Sequence, residues 1–443
     1  MDSFSHLTRE RLSWSERWIV WVIAGLGLMA QIGLYGSGRP EGPIRSDGIS
    51  YHVYLPAIVL YGNPTLWAVA DESYGGAFPE YTGIYRWPNT SWWLNSHPIG
   101  TAVLALPFFL IAHALTLWSN LPPDGFSRYY QIGASLAGLA YGTAGLAVLL
   151  GFLRRHVTPS VAVLTIVLIT FGTNLFHYMT LDATYSHAFA FFLVAALVDA
   201  SDRWWLAPSR RHTVWLGTVS GLLLLTRHSH ALLLIVPALW GLGAARPPIA
   251  QMHAIWDRRL SVLVAGLVAG LIMLPQLAIY HEVTGHWFIS PYTLIPGGQT
   301  LHVPRVWDVW FSTQKGLFFW SPLLLVAMAG VWLRHPLVHA TRWSVLTPFV
   351  LLSLLIGSWH DWQFGGSYGH RGFTDILPLL AIPIASMIAL VSRAPAPVRV
   401  AVSVTAALVV SLSVFQMWQY WVGIIPFNDT TWQLYREVFL RWR

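Results

Sequence analysis

The sequence contains no cysteine, which removes disulfides, thiolate metal sites and cysteine nucleophiles together. It is also poor in charge: only 10% of its 443 residues are Asp, Glu, Lys or Arg, against roughly 25% in soluble chains. Lysine is almost missing, with Lys315 alone among 26 Lys plus Arg residues. A GC-rich genome accounts for that bias, and guanidinium forks that grip phosphate are the functional alternative. Low-complexity tracts and internal repeats are lacking too, so a solenoid is excluded.

What is abundant is apolar. Hydrophobic residues make up 55% and aromatics 14% of the chain, in runs of about 14 to 24 residues from Trp18 to Val422, where roughly 20 suffice for a helix to cross the hydrocarbon. An all-α, polytopic membrane helical bundle follows, because a spanning segment must satisfy its own backbone. The net charge of +7 is not a nucleic-acid footprint, since the arginines sit singly or in pairs in turns between apolar runs. Met1 to Arg17 puts basic residues before the first run without a small-residue cleavage site, which reads as an uncleaved anchor.

Orientation comes from those turns. Arg9, Arg11 and Arg17, Arg154 and Arg155, Arg203, Arg210 and Arg211, Arg258 and Arg259, Arg334 and Arg342, and Arg393 and Arg399 form the cytoplasmic set. Spans near 18–36, 130–152, 160–180, 184–202, 213–226, 229–245, 260–281, 319–333, 344–360, 373–392 and 398–421 satisfy that set. The expectation is thus about 11 transmembrane helices, N-terminus inside and C-terminus outside, with juxtamembrane helices on the outer face. The run Pro98 to Trp118 breaks parity if it crosses, so it is read as re-entrant or surface-lying. Two modules are expected: 1–281, with a large first outer loop at 37–97, and 282–443, with outer loops and no soluble domain.

The polar residues crowd into the outer connections. Asp47-Gly48 opens a short amphipathic stretch with Tyr51 and His52, holding a carboxylate at headgroup level where it can act as a general base or simply cap a helix. Asp71, Glu72, Glu80 and His97-Pro98 follow in the same loop. Asp182 lies between two apolar runs, with His187 about one turn further on, and an acid at that depth is costly unless used or paired. The 213–226 run is about 14 residues, roughly 21 Å as a helix, so Arg227 at its end falls below the membrane surface beside His228 and His230. There it meets an anion such as a lipid phosphate, or pairs structurally with Asp182. The last loop, Trp359-His360-Asp361-Trp362-Gln363-Phe364-Gly365-Gly366-Ser367-Tyr368-Gly369-His370-Arg371, combines glycines, aromatics and positive charge in a site-like density.

This pattern resembles the C-type (GT-C) glycosyltransferase superfamily of integral membrane enzymes, which includes protein O-mannosyltransferases, the lipid A aminoarabinose transferase and arabinofuranosyltransferases. The likeness rests on Asp47 after the first helix, the His97-Pro98 helix, the Leu181-Asp182-Ala183-Thr184 turn and the long outer segment after the seventh span. It covers the topology of most of the chain but only short motifs. The chain departs from it in replacing a paired first-loop acid by Asp47-Gly48 and in lacking soluble insertions.

The resemblance implies inverting transfer of one hexosyl or pentosyl unit from a polyprenyl-phosphate donor to a hydroxyl on a glycan, lipid or exported protein. Asp47 and Asp182 would be catalytic, with Asp47 as base. Arg227 and Arg371, supported by His187, His228 and His370, would hold the donor phosphate. Tyr51, His52, Glu80, His97, Trp359 and Asp361 would line the substrate site. Two arginines could suffice for a monophosphate leaving group, and a divalent cation (Mg or Mn) on Asp47, Glu72, Glu80 and His52 is the open alternative. The expected location is a bacterial inner (plasma) membrane with the site facing the periplasm or exterior. The competing reading is a transporter or flippase of lipid-linked sugars, against which no matched inverted halves are visible.

Overall fold

The computed structural model describes residues 14–36, 41–244, 246–295 and 301–442. Arg9, Arg11 and the first residues of the outer loop, 37–40, lie outside the described residues. The chain is an integral membrane protein built mostly of helix. In order it forms α1 (Trp14–Gly36), the short α2 (Asp47–His52), α3 (Tyr54–Val59) and α4 (Trp67–Tyr74), the strands β1 (Ile84–Arg86) and β2 (Trp93–Asn95), then α5 (Gly100–Leu117), α6 (Arg128–Leu153), α7 (Pro159–Phe171) and α8 (Leu175–Thr180). There follow α9 (Ser186–Leu206), α10 (Arg210–Thr226), a 3₁₀ segment His228–Ile235, α11 (Val236–Leu239), α12 (Pro248–Asp257), α13 (Arg259–Thr284), α14 (Val306–Phe311), α15 (Leu317–Trp320), α16 (Leu323–Gly330) and α17 (Pro336–Ser358). A second 3₁₀ segment, Arg371–Ile376, leads into α18 (Leu377–Val391), α19 (Ala396–Trp421) and α20 (Trp432–Val438).

Seven helices among the described residues are long and apolar enough to cross a bilayer. Several expected spans are instead broken. The 160–180 run stops at Phe171 and restarts at Leu175, because Asn174 turns its amide to Tyr368 O (3.3 Å) and accepts from Thr374 Oγ1 (3.1 Å). The 229–245 run is a 3₁₀ segment capped by the one-turn α11, and 319–333 is split around Pro322, which cannot donate to a helix ladder.

α9 is the buried axis, packed by α6 and α10 on its flanks and by α18. Close helix approach is made by small residues, the usual device where lipid offers no hydrophobic drive. A Cβ on Gly217 would lie 2.5 Å from Ala265 O and one on Gly221 2.9 Å from Ala269 Cα, which lets α10 seat directly on α13. The outward faces of α13 and α19 expose Leu and Val almost throughout, as a lipid-facing surface does.

The arginine turns gather at one end of the bundle. Arg155 pairs with Asp199 (2.8 Å) and Asp202 (2.9 Å), Arg246 stacks on Trp205 (3.9 Å) and Arg258 on Trp204 (4.9 Å). Asp47, Asp182, Arg227 and Arg371 gather elsewhere, around α2 and the break between α8 and α9. α5 qualifies by length as a span, yet both its ends sit against the first loop. His97 just before it bonds Ser50, and Gly125 just after it accepts from His52 Nε2 (2.8 Å) and lies against Pro56.

Candidate functional site

The site begins at Asp47, the first residue of α2. Ser46 before it has φ 47°, a left-handed conformation that non-glycine residues rarely hold, and Gly48 after it has no room for a side chain: a Cβ would fall 2.2 Å from Thr184 Oγ1. The α2 backbone is thereby pressed onto the α8–α9 turn, and the Asp47 carboxylate meets Arg371, Oδ2 to Nη1 2.7 Å. Burial pushes the Asp47 carboxyl up, but the Arg371 guanidinium beside it holds it below the usual carboxylate range.

Arg371 opens the second 3₁₀ segment, and one turn later Asp375 anchors a second ionic group. Its Oδ1 meets His187 Nδ1 (2.7 Å), and its Oδ2 meets His230 Nε2 (2.9 Å) and Arg227 Nε (3.6 Å). Arg227 donates from Nη1 to Ser186 Oγ (3.3 Å), which itself donates to Tyr51 Oη (3.0 Å), tying α10 and α9 to α2. Each guanidinium has five N–H donors, so both keep donors free for a ligand while their carboxylates fix their direction.

The β1–β2 hairpin pairs Ile84 with Asn95 and places the latter so that Nδ2 donates to Ser50 O (2.7 Å) and Oδ1 accepts from His97 N (2.9 Å). Ser50 Oγ gives its proton to Asp47 O (2.7 Å) and therefore accepts from His97 Nδ1–H (2.9 Å). That assignment leaves His97 Nε2 as a bare acceptor. Burial pushes the His97 imidazole down to about 4, with Asp47 opposing and Arg227 reinforcing the shift, so it is neutral at physiological pH.

These groups line one cavity of about 460 Å³. Asp47, Tyr51, Glu80, Tyr81 and His97 form the first-loop wall, Arg227, His228 and His230 a second, and Arg371 and Asp375 a third, while Tyr292, Trp359, His360, Asp361 and Phe364 close the side toward α17. The size suits a small ligand, and the Asp47 carboxylate, the neutral His97 imidazole and the Arg227 and Arg371 guanidiniums all border it. Such a set can neutralise a leaving anion and accept a proton.

No protein-family model and no curated protein matches the sequence. Solved structures do match, among them three of the oligosaccharyltransferase of Archaeoglobus fulgidus. AglB in complex with an inhibitory peptide and a dolichol-phosphate aligns at TM-score 0.53 and 11% identity over 91% of this chain. The apo form aligns at 0.55 and 12% over 97%, and the form tethered to an acceptor peptide containing the NVT sequon through a disulfide at 0.50 and 10% over 98%. The chain shares the fold of these structures over almost its whole length. The chain spans 56%, 60% and 59% of those three structures' own lengths.

Within this fold the residues expected at the site separate into groups. Asp47, Tyr51, Glu80, His97, Arg227, His228, Trp359, Asp361 and Arg371 line the cavity. Asp182 does not: it faces an adjoining chamber of about 430 Å³, bonded to Arg45 Nη2 (2.8 Å) and His177 Nε2 (2.8 Å). Trp421 Nε1 donates to His177 Nδ1 (2.9 Å), which fixes His177 as the Nε2–H tautomer that donates to Asp182. The expected pairings of Asp182 with His187 or Arg227 are therefore replaced by Arg45 and His177, and both expected partners turn to Asp375. His187 stands behind Asp375, and His370 is buried outside the cavity among Trp362, Phe364 and Phe373. His52 points away, bonded to Gly125 O and packed on Phe109 and Phe126, so it is not a lining residue.

Asp375 and Lys315 carry weight that the sequence reading did not give them. Asp375 sits at the edge of the 373–392 apolar run, where the cost of a lone acid is signal enough. Lys315 is buried and donates to Ser367 O and to Phe427 O (2.6 Å), pinning the loop that carries Arg371. The cation set Asp47, Glu72, Glu80 and His52 does not converge. His52 is turned away, Asp47 is engaged by Arg371, and no group of three or more His, Asp or Glu among the described residues could hold a metal ion. These four residues as placed do not fit a resident cation.

Proposed function

We propose that the chain is a membrane glycosyltransferase that moves one sugar from a polyprenyl-phosphate donor to a hydroxyl acceptor, with inversion, on the extracytoplasmic side of a bacterial inner membrane. The observation that carries the reading is the convergence of Arg227 and Arg371, each aimed by its own carboxylate, on the cavity that holds Asp47 and His97. The GT-C fold supports it, as does the dolichol-phosphate complex reported for AglB.

In the reaction the acceptor oxygen forms a bond to the anomeric carbon while the bond from that carbon to the phosphate oxygen breaks. The electron pair leaves with the lipid phosphate, whose growing charge falls between Arg227 and Arg371. The hydroxyl proton passes to Asp47, and His97 Nε2 accepts a hydrogen bond from a substrate hydroxyl. Arg371 links the two halves. When the donor phosphate draws it away from Asp47, the carboxylate loses its counter-ion and becomes the stronger base the step needs.

The test is sugar transfer by purified protein in nanodiscs given labelled polyprenyl-phosphate sugars. Transfer that disappears in Asp47→Asn supports the reading. Movement of intact lipid-linked sugar across the bilayer without transfer would establish the flippase alternative instead.

A further inference from the structure

A second route leads to the same catalytic pair from the lipid side. A groove of about 870 Å³, lined almost entirely by apolar side chains, runs between α1 and α6 from Arg17 and Leu150 toward Leu28 and Leu136. Those two leucines also line a vestibule of about 420 Å³, and Glu41 and Gly42 are shared between that vestibule and the chamber of Arg45 and Asp182. Tyr81 is shared in turn between the chamber and the cavity of Asp47. Groove, vestibule, chamber and cavity thus lie in series, each sharing lining residues with the next.

Its chemistry changes along its length as an amphiphile's does. The groove exists because Gly25 and neighbouring alanines take little room, and a Cβ on Gly25 would meet nothing within 4 Å. The vestibule adds Arg128 and Gln131 at the N-terminal end of the 26-residue α6, where a phosphate is favoured by charge and helix dipole together. Ser135 lines it too, 4% exposed, with an Oγ that has no hydrogen-bond partner. The chamber beyond offers Arg45, Ser46 and Asp182 to a hydroxylated headgroup.

We propose that the acceptor is itself a membrane lipid: its chain lies in the α1–α6 groove, its phosphate sits in the vestibule at Arg128, and its headgroup hydroxyl reaches Asp47 through the chamber. This rests on the glycosyltransferase reading and names its acceptor class. The donor phosphate occupies the other side of the Asp47–Arg371 pair, so the two lipids approach from opposite faces of that pair.

The experiment uses purified full-length protein in nanodiscs with three photoreactive probes carrying a diazirine in the chain: phosphatidylglycerol, phosphatidylcholine and a C55 polyprenyl phosphate. The phosphatidylglycerol probe should label α1 and α6 around Gly25 at least about fivefold more than phosphatidylcholine does. Gly25→Phe, which fills open space, and Arg128→Gln should each cut that labelling by about tenfold, roughly 1.4 kcal/mol of binding. Neither should change the thermal stability or polyprenyl-phosphate labelling near Arg227.

Equal labelling by phosphatidylcholine would mean that bulk lipid fills the groove, and preferential labelling there by the polyprenyl phosphate would give the groove to the donor; either result overturns the proposal. Labelling needs no turnover, so Asp47→Asn protein should label like wild type. Selective labelling with no sugar transfer to any acceptor would sink the glycosyltransferase reading and leave a lipid site, whereas transfer only to an acceptor outside the lipid fraction would sink the lipid acceptor. Transfer without selective labelling would sink the lipid acceptor alone.

Discussion

Arg371 Nη1 lies 2.7 Å from Asp47 Oδ2, joining the first outer loop to the last on the wall of the cavity that holds Arg227. The pair is partly buried, at 13% and 18% side-chain exposure, so each charge depends on the other. Asp47→Asn keeps the shape and removes the proton acceptor. Turnover should fall by about 10² to 10⁴-fold with donor binding retained, read as a loss in kcat at near-constant KM. A variant that keeps wild-type kcat would move the base elsewhere, with His97 the next candidate.

Asp375 is expected to act through the groups it aims. In Asp375→Asn the Arg227 charge loses its partner, and breaking a buried pair of this kind costs about 3 to 5 kcal/mol. A depressed melting temperature should accompany a donor KM that rises more than kcat falls. Equal loss in both parameters would argue that Asp375 touches the reacting atoms.

The contact of Gly48 with Thr184 sets the position of α2. Gly48→Ala places a methyl 2.2 Å from Thr184 Oγ1, so α2 must shift and carry Asp47 with it. Activity should drop by at least about tenfold, since misplacement by an ångström is that costly. Adding Thr184→Ala removes the clashing oxygen and should restore part of the rate. A double variant no better than the single one would show that Thr184 is not the obstacle.

Burial, with Arg371 adding to it, pushes the Lys315 ammonium down to about 7 from its ordinary 10.5. Between those values the unfolded chain binds more protons than the folded one, so stability rises with pH across the window. The contribution is complete above 10.5 and is lost as pH falls toward 7. Melting temperatures from pH 7 to 9.5 should therefore climb more steeply for wild type than for Lys315→Met. Parallel curves would show that Lys315 titrates normally.

Much of the framework was legible in the sequence because its physics is local. Apolar length marked the helices, and lone polar residues at the edges of apolar runs marked Asp47, Arg227 and Arg371, all of which line the cavity. The same criterion applied at the 373 boundary would have found Asp375. Helix continuity was harder to judge. Composition does not distinguish a straight span from one interrupted at Asn174 or Pro322, because the interruption is made by side chains bonding across to another segment.

By itself the sequence determined that this chain lives in lipid, that it is helical, and that its polar chemistry collects in loops, since each follows from the cost of placing unpaired charge and open backbone in hydrocarbon. Which charges pair was decided only by the tertiary structure. Asp182 had His187 a turn further on and Arg227 at a matching depth, yet it holds Arg45 and His177, while Asp375, far off in sequence, takes both. The reason is geometric: helix packing through Gly48, Gly217 and Gly221 sets which faces meet, and a buried charge settles on whichever partner that packing brings within reach.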